Sequence, residues 1–442
     1  MRIKKRISMA AVVILLAFLL WYAMEDSMTE GENVTQQAKE EVSLDVWYSD
    51  ESLQAYVESA AESYEKKNNV KVNTKQLAEI DYIQMIHDNS VGEEFEGPDV
   101  YLVTNDQLEM VELAGLTSVV ENHGKHYNSD YYADTALHAV RYNGNQIAYP
   151  ISFETSFLLY NKDYVQVEHP IEQEDNGQEI PEQLETQTVS VIPRTIEELK
   201  DFSEEFEGAE GVENIFRFDV SDIFYTYFFV GNYLKLGGLD GDNAGVVDVA
   251  NENVAQCLTS FQELAQFFAI DIKTINYETV LSEFASGKTV YIIGKTDAVQ
   301  KLSELENENG TELNYGIAIL PDVSDKLTTK ALSVTTVAVV NGYTRNKDEA
   351  DKFADYLSYG YADKLYETAG KYAAKRDVKI PDNVYRDEIY AQYEKSVSLP
   401  KLLNASNFWV DLEIAFFNIW TGEDVQEQIQ AVSDQVTKQL NN

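Results

Sequence analysis

The chain has 442 residues, of which 76 are acidic and 34 basic, giving a formal charge of −42 at pH 7. That balance excludes the basic footprint a phosphate backbone requires, so nucleic acid is not an expected partner. With 44% apolar and 12% aromatic side chains, 22 glycines and 8 prolines, the composition is that of a packed globular protein, long enough for two or three domains of ~150 residues each.

At the amino terminus Arg2, Lys4, Lys5 and Arg6 precede an uncharged stretch over residues 7–24 that is apolar except for Ser8. About 18 such residues, rising ~1.5 Å each, just reach across ~30 Å of hydrocarbon. Residues 1–24 read as a signal anchor, with the cations cytoplasmic and Glu25, Asp26 and Glu30 outside. A cleaved signal peptide is the alternative, although bulky Trp21 stands where a small residue should precede a cut after Ala23. Residues 25–42 are polar and acidic and read as a tether. The rest of the chain is therefore expected at the extracellular face of the cell membrane, or secreted if the segment is removed.

Beyond the tether, strand and helix patterns alternate. Residues 43–47 predict a strand, and Leu53, Tyr56, Val57, Ala60, Ala61 and Tyr64 recur at helical spacing behind a cap at Ser49 or Asp50. Residues 70–72 and 98–103 predict further strands. Thr195 and Glu198 form a capping-box pattern ahead of Ile196, Leu199, Phe202 and Phe206. Residues 290–293, 315–320 and 334–340 are strands, and the last leads into a helix with Ala350, Phe353, Ala354 and Leu357 inward and Gly360 as its stop. This grammar predicts two α/β lobes around a mixed, mostly parallel sheet. Residues 166–192, dense in glutamate and aspartate, read as a solvated excursion or a partner-docking loop.

No nucleophile elbow, HExxH, phosphate-cradling loop or dinucleotide fingerprint is present, so no catalytic residue is assigned and the chain is not expected to be an enzyme. No cofactor or metal is expected either. The single cysteine, Cys257, reads as a small buried hydrophobe, and it cannot serve as a lipid-anchor site after the apolar stretch. His123 and His126 are three residues apart, but Gly124 lies between them and no thiolate is near. Tyr131 and Tyr132 read as ordinary packing. The informative pattern lies at strand ends: Trp47, Ser49 and Asp50 after the first strand, and Thr104, Asn105 and Asp106 after the third, the edge that lines a ligand crevice in open α/β sheets. A sugar needs flat apolar faces for its C–H surface and carboxylates for its hydroxyls, and this edge supplies both. Trp47 and Trp420 as core, and Asp50 as a helix cap only, are the competing readings.

In order along the chain, LDVWYSDESLQAYVESAAESYEKKNNVKV, GPDVYLVTNDQLEMVELAGL, IAYPISFETSFLLYNKDYV, RTIEELKDFSEEF, FASGKTVYIIG, YGIAILPDV, NKDEADKFADYL and NFWVDLEIAFFNIWTGEDVQEQI resemble the family 1 extracellular solute-binding proteins of ABC importers, the maltose- and maltodextrin-binding branch in particular. The resemblance spans about residues 43–437. It implies a two-lobe, type II periplasmic-binding-protein-like α/β fold with a ligand cleft between lobes. Residues 43–152 and 329–378 would form the N-terminal lobe, 153–328 and 379–437 the C-terminal lobe, with hinges near 150–155 and 325–332. The implied function is capture of a neutral oligosaccharide by lobe closure, by a monomer that delivers it to the permease subunits of an ABC transporter. The implied site residues are Asp50 or Glu51 as a cleft acid, Asp106 as a hydroxyl acceptor, Glu154, Asp222 in the place of a glutamate, Phe224, Tyr225 and Tyr227 as stacking aromatics, and Trp409 against a sugar ring. The sequence departs from the branch at Val103 and Thr296, which replace tryptophans, and at Gln107, which replaces an arginine. A membrane-anchored sensory receptor, or a binder of a metal, polyamine or other non-sugar solute, is the alternative.

Overall fold

The computed structural model describes residues 42–170, 186–310, 313–380, 385–405 and 407–441. The proposed anchor, nearly all of the tether and the centre of the acidic excursion lie outside these residues. The flanks of that excursion, Gln166–Pro170 and Thr186–Ser190, pair antiparallel as a two-stranded ribbon. No helix among the described residues is long and apolar enough to cross a membrane.

One continuous sheet organises the molecule, in the order Lys71–Gln76, Ser43–Tyr48, Val100–Thr104, Ala331–Val340, Tyr149–Asn161, Thr289–Lys295, Asn214–Arg217. The outer pairs at each end are parallel. The central ones are not: Ala331–Val340 runs against both Val100–Thr104 and Tyr149–Asn161, and Tyr149–Asn161 runs against Thr289–Lys295 and Tyr315–Ala318. This corrects the expectation of a mostly parallel sheet. Alternation of strand and helix predicts parallel neighbours only where each helix is a crossover within one sheet, and the segments that cross between halves break that condition.

The long strand Tyr149–Asn161 serves both halves. Its start pairs with Ala331–Val340, from Ala338 opposite Tyr149 to Ser333 opposite Thr155. From Ser156 onward it pairs with Thr289–Lys295. Pro150 has no N–H to contribute, and the register slips beside it, between Thr336 and Val337. Glu154 is the one residue of this strand that is not buried. In Ala331–Val340 the half-buried residues are Val334 and Thr336, two apart and therefore on the same face. Ser333 and Thr335 face the opposite way. There Ser333 Oγ donates to the Val397 carbonyl at 3.1 Å, the Asn105 side-chain oxygen accepts from Thr335 N–H at 2.8 Å, and Thr335 Oγ1 lies 3.2 Å from the Tyr393 hydroxyl.

Local signals hold where side chains act on their own backbone. Asp50 caps the turn Glu51–Leu53, and the helix Gln54–Asn68 buries Tyr56, Val57, Ala60, Ala61 and Tyr64. Thr195 accepts from Glu198 N–H at 3.1 Å, and the Glu198 carboxylate accepts from Arg194 N–H at 2.6 Å. Gly360 is not a left-handed stop. The helix Lys347–Asp355 runs into a π-helical turn, Tyr356–Gly360, whose Tyr361 N–H bonds the Tyr356 carbonyl at 2.8 Å. Cys257 is buried in Glu252–Phe268 beside Leu258 and Phe261. Trp420 is core, its Nε1–H donating to the Ile270 carbonyl at 3.1 Å.

Behind the central strands, on the face of Ser333 and Thr335, a polar knot ties segments of both halves. Thr135, on Asp134–Ala139, reaches the carbonyls of Tyr393 and Ser396 at 3.5 and 3.4 Å. Lys401 is 1% exposed. Its ammonium donates to the His138 carbonyl at 3.1 Å and to the Asp240 carbonyl, and its N–H to Gly241 O at 2.7 Å. His138 Nδ1 lies 2.6 Å from Asp240 Oδ1. Burial pulls the Lys401 ammonium down to about 8, against the opposing pull of Asp242, Asp240 and Asp106.

Candidate functional site

On the front face of the same strands two recesses adjoin, of about 310 and 730 Å³, sharing Asp50, Thr104 and Thr336 as common walls. Together they form a cleft. The smaller recess sits where the halves meet, with Asp50 and Thr104 from one side, Asp222, Phe224, Tyr225 and Lys295 from the other, and Glu154 in the floor.

Each polar group is aimed by local structure. Asp50 is both cap and cleft acid: its Oδ1 accepts from Ser52 N–H at 2.9 Å and Oγ–H at 2.6 Å, leaving Oδ2 free to meet Lys371 Nζ at 3.1 Å. Lys371 lies beside Glu154 because the strand that follows it, Tyr372–Ala373, pairs with Phe153 and Ser152. Gly370 makes the approach possible. It closes the helix Leu365–Ala369 with φ +64, and a Cβ there would fall 2.2 Å from Gln300 Oε1. Lys371 Nζ thereby reaches Glu154 Oε1 at 3.1 Å. The other Glu154 oxygen faces Lys295 Nζ at 3.8 Å, and that lysine, ending Thr289–Lys295, also meets Asp297 at 3.4 Å.

Burial tends to raise the Asp50 carboxyl, but Lys371 and the Ser52 donors outweigh it and hold Asp50 below the ordinary carboxylate value. For Lys371 burial tends to lower the ammonium, and Glu154 and Asp50 hold it above the ordinary lysine value. Asp222 caps Ile223–Thr226 by accepting from Phe224 N–H at 2.8 Å. Desolvation nevertheless pushes its carboxyl up. The rings of Phe224 and Tyr225 stand edge to face at 5.7 Å in the same wall. The set can accept from hydroxyls, donate to oxygens and cover an apolar ring face.

The structure gathers Asp50, Glu154, Asp222, Phe224 and Tyr225 in the smaller recess, and Ser49, Asp50 and Glu51 in the larger. Four other candidates line neither. Trp47 is 5% exposed, packed in a second apolar cluster with Tyr82 and Ile86 and covered by Lys75 Nζ at 4.6 Å. Tyr227 is 3% exposed and turned inward, its ring 5.7 Å from that of Trp409. Trp409 is half-buried against Tyr227 and Phe408. Asp106 is exposed beyond the third strand, where its charge acts on Lys401. Lys371, Lys295, Val334 and Thr336 escape a reading of the sequence. The nearest signal is Gly370, a helix stop that delivers the next residue to a fixed place, and Lys295 adjoins Thr296, a position the family pattern singles out.

The profile of the family described as bacterial extracellular solute-binding protein matches residues 59–388, well over half of the chain, and the chain belongs to that family. It is similar to the maltodextrin-binding protein MdxE of Bacillus subtilis, 20% identical over 388 residues covering 85% of this chain and 84% of the relative. It is also similar to the galactooligosaccharide-binding protein of that organism, 23% identical over 393 residues covering 86% and 85%. Among solved structures, the extracellular solute-binding protein from Staphylococcus aureus in complex with maltose superposes with a TM-score of 0.74 at 17% identity, covering 90% of this chain and 98% of that one. The fold is thus the two-lobe type II periplasmic-binding-protein fold, with mixed α/β content.

Proposed function

We propose that this bacterial extracellular solute-binding protein captures a neutral, maltodextrin-like oligosaccharide by lobe closure and delivers it to the permease subunits of an ABC importer. It works as a monomer at the outer face of the membrane, held there by residues 1–24. The observation that carries the reading is the convergence, in one recess between the halves, of Asp50, Glu154 and Asp222 with the rings of Phe224 and Tyr225. Acceptors beside ring faces suit a polyol with one apolar side. The names of the two Bacillus subtilis relatives support a glycan as the solute.

In this reading residues 43–152 and 329–378 form one lobe and 153–328 and 379–437 the other, with hinges near residues 150–155 and 325–332. A solute touching both lobes stabilises the closed form through contacts the open form lacks. Each hydrogen bond to a charged acceptor is worth ~1.5–3 kcal/mol, and ring contact adds about 1 kcal/mol. Several together reach micromolar affinity, about −8 kcal/mol, after the cost of association. Trp409, half-buried against Tyr227, is assigned to one end of the solute. No group is placed for bond cleavage in this scheme: the role is binding, and oligosaccharides leave unshortened. The test is a thermal-shift and calorimetric series over maltose, maltotetraose and galactooligosaccharides, with spermidine as control. A rise in melting temperature with a neutral glycan is expected. No response to any glycan, or a response to spermidine alone, overturns the proposal.

A further inference from the structure

We infer that Lys371 is a specificity determinant: a tethered ammonium that fills the ground between Asp50 and Glu154 and so reserves the cleft for uncharged polyols against amines. The inference deepens the oligosaccharide reading and rests on it. Lys371 Nζ stands 3.1 Å from Asp50 Oδ2 and 3.1 Å from Glu154 Oε1, and its side chain is only 17% exposed. It lines the smaller recess together with both acids.

The chemistry follows from charge and donors. The lining of that recess holds three carboxylates, Asp50, Glu154 and Asp222, against two ammonium groups, Lys295 and Lys371. Without Lys371 the ratio becomes three to one, and two carboxylates from different segments face each other across a gap the size of an ammonium. Such a pair is a receptor for a protonated amine, with charge-assisted hydrogen bonds on both sides. Lys371 supplies that amine from the chain itself. Its position is set by backbone, through Gly370 before it and the Tyr372–Phe153 pairing after it, so an incoming amine must expel a group held at high effective concentration. A neutral polyol need not: it donates to the outer lone pairs of Asp50 and Glu154, and accepts from the third N–H of the ammonium. Lys295, at 3.8 Å from Glu154 and shared with Asp297, is a weaker partner and does not replace Lys371.

The test is titration calorimetry of the wild type, K371M and K371R with maltotetraose, with a glucosamine tetramer and with spermidine, and K371Q replaces K371M if the latter fails to fold by melting temperature. For the wild type and K371R, binding of maltotetraose only is expected. In K371M maltotetraose affinity should fall at least tenfold, and the glucosamine tetramer or spermidine should gain at least tenfold in a manner that weakens with salt. Amine binding by the wild type, or a K371M that gains no amine affinity, overturns the inference. Absence of maltotetraose binding by the wild type overturns instead the glycan reading on which it rests, and the amine arm remains legible by itself.

Discussion

Replacing Lys401 by methionine separates the cost of a buried charge from the worth of its hydrogen bonds. With its ammonium drawn from 10.5 down to about 8 by burial, and about 1.4 kcal/mol per pH unit, the charged side chain costs the fold roughly 3 kcal/mol relative to the unfolded chain. Methionine removes that cost but leaves the Asp240 carbonyl without its ammonium donor and the His138 carbonyl with the Val140 N–H alone, a loss of about 1–3 kcal/mol in all. Near pH 7 the two effects nearly offset, so the diagnostic quantity is the pH dependence. Between about 8 and 10.5 the folded state binds fewer protons than the unfolded one, so stability contributed by Lys401 rises with pH across that window and is flat below it. Urea unfolding at pH 7 and pH 10 should show the wild type gaining roughly 2–3 kcal/mol relative to K401M, the titration of exposed tyrosines and lysines cancelling between the two proteins. Parallel stability curves would refute the reasoning, since they would mean that the ammonium is solvated in the folded state.

Glu154→Ala should weaken maltotetraose binding at least tenfold by calorimetry with little change in melting temperature, because Glu154 alone breaks the burial of its strand. Trp409→Ala should do the same. An unchanged affinity would confine the solute to the recesses that Trp409 does not line. Gly370→Ala forces a Cβ to within 2.2 Å of Gln300 Oε1 at φ +64 and should cost more than about 1 kcal/mol in urea unfolding; a neutral outcome would show that Gln300 yields freely. Asp50, held below the ordinary carboxylate value, contributes stability that is present above the unfolded pKa of ~3.9 and lost as pH falls through its lower folded value. Asp50→Asn should therefore flatten the acid limb of the stability profile, and an unaltered limb would place that limb on other carboxylates.

What the sequence shows best is what a residue does to its own backbone. Asp50 is legible as a cap and, from its place after a strand, as a candidate cleft acid; one of its oxygens accepts from Ser52 and the other meets Lys371 in the recess. Glu154 and its neighbours follow from the family pattern. The aromatics are less legible, since residue type does not state which face of a strand or turn a ring takes: Phe224 and Tyr225 reach the recess, whereas Trp47 and Tyr227 complete the core. Lys371 and Lys295 are invisible without register, because each meets Glu154 only through pairing with the long strand Tyr149–Asn161, from the far side of hundreds of intervening atoms of chain. Strand direction fails for a related reason, in that a segment crossing between halves looks in sequence like any other buried strand.

The pairing of Val100–Thr104 and Tyr149–Asn161 with Ala331–Val340 carries a consequence for how the molecule is made. A chain still emerging from the ribosome already owns Asp50 and Glu154, yet it lacks the strand that joins their parts of the sheet until residue 340 has been added, and the counter-charge between them until residue 371. A solute of the cleft cannot template the early steps, because nothing that resembles the finished recess exists then. It will slow the loss of the finished fold far more than it speeds its arrival.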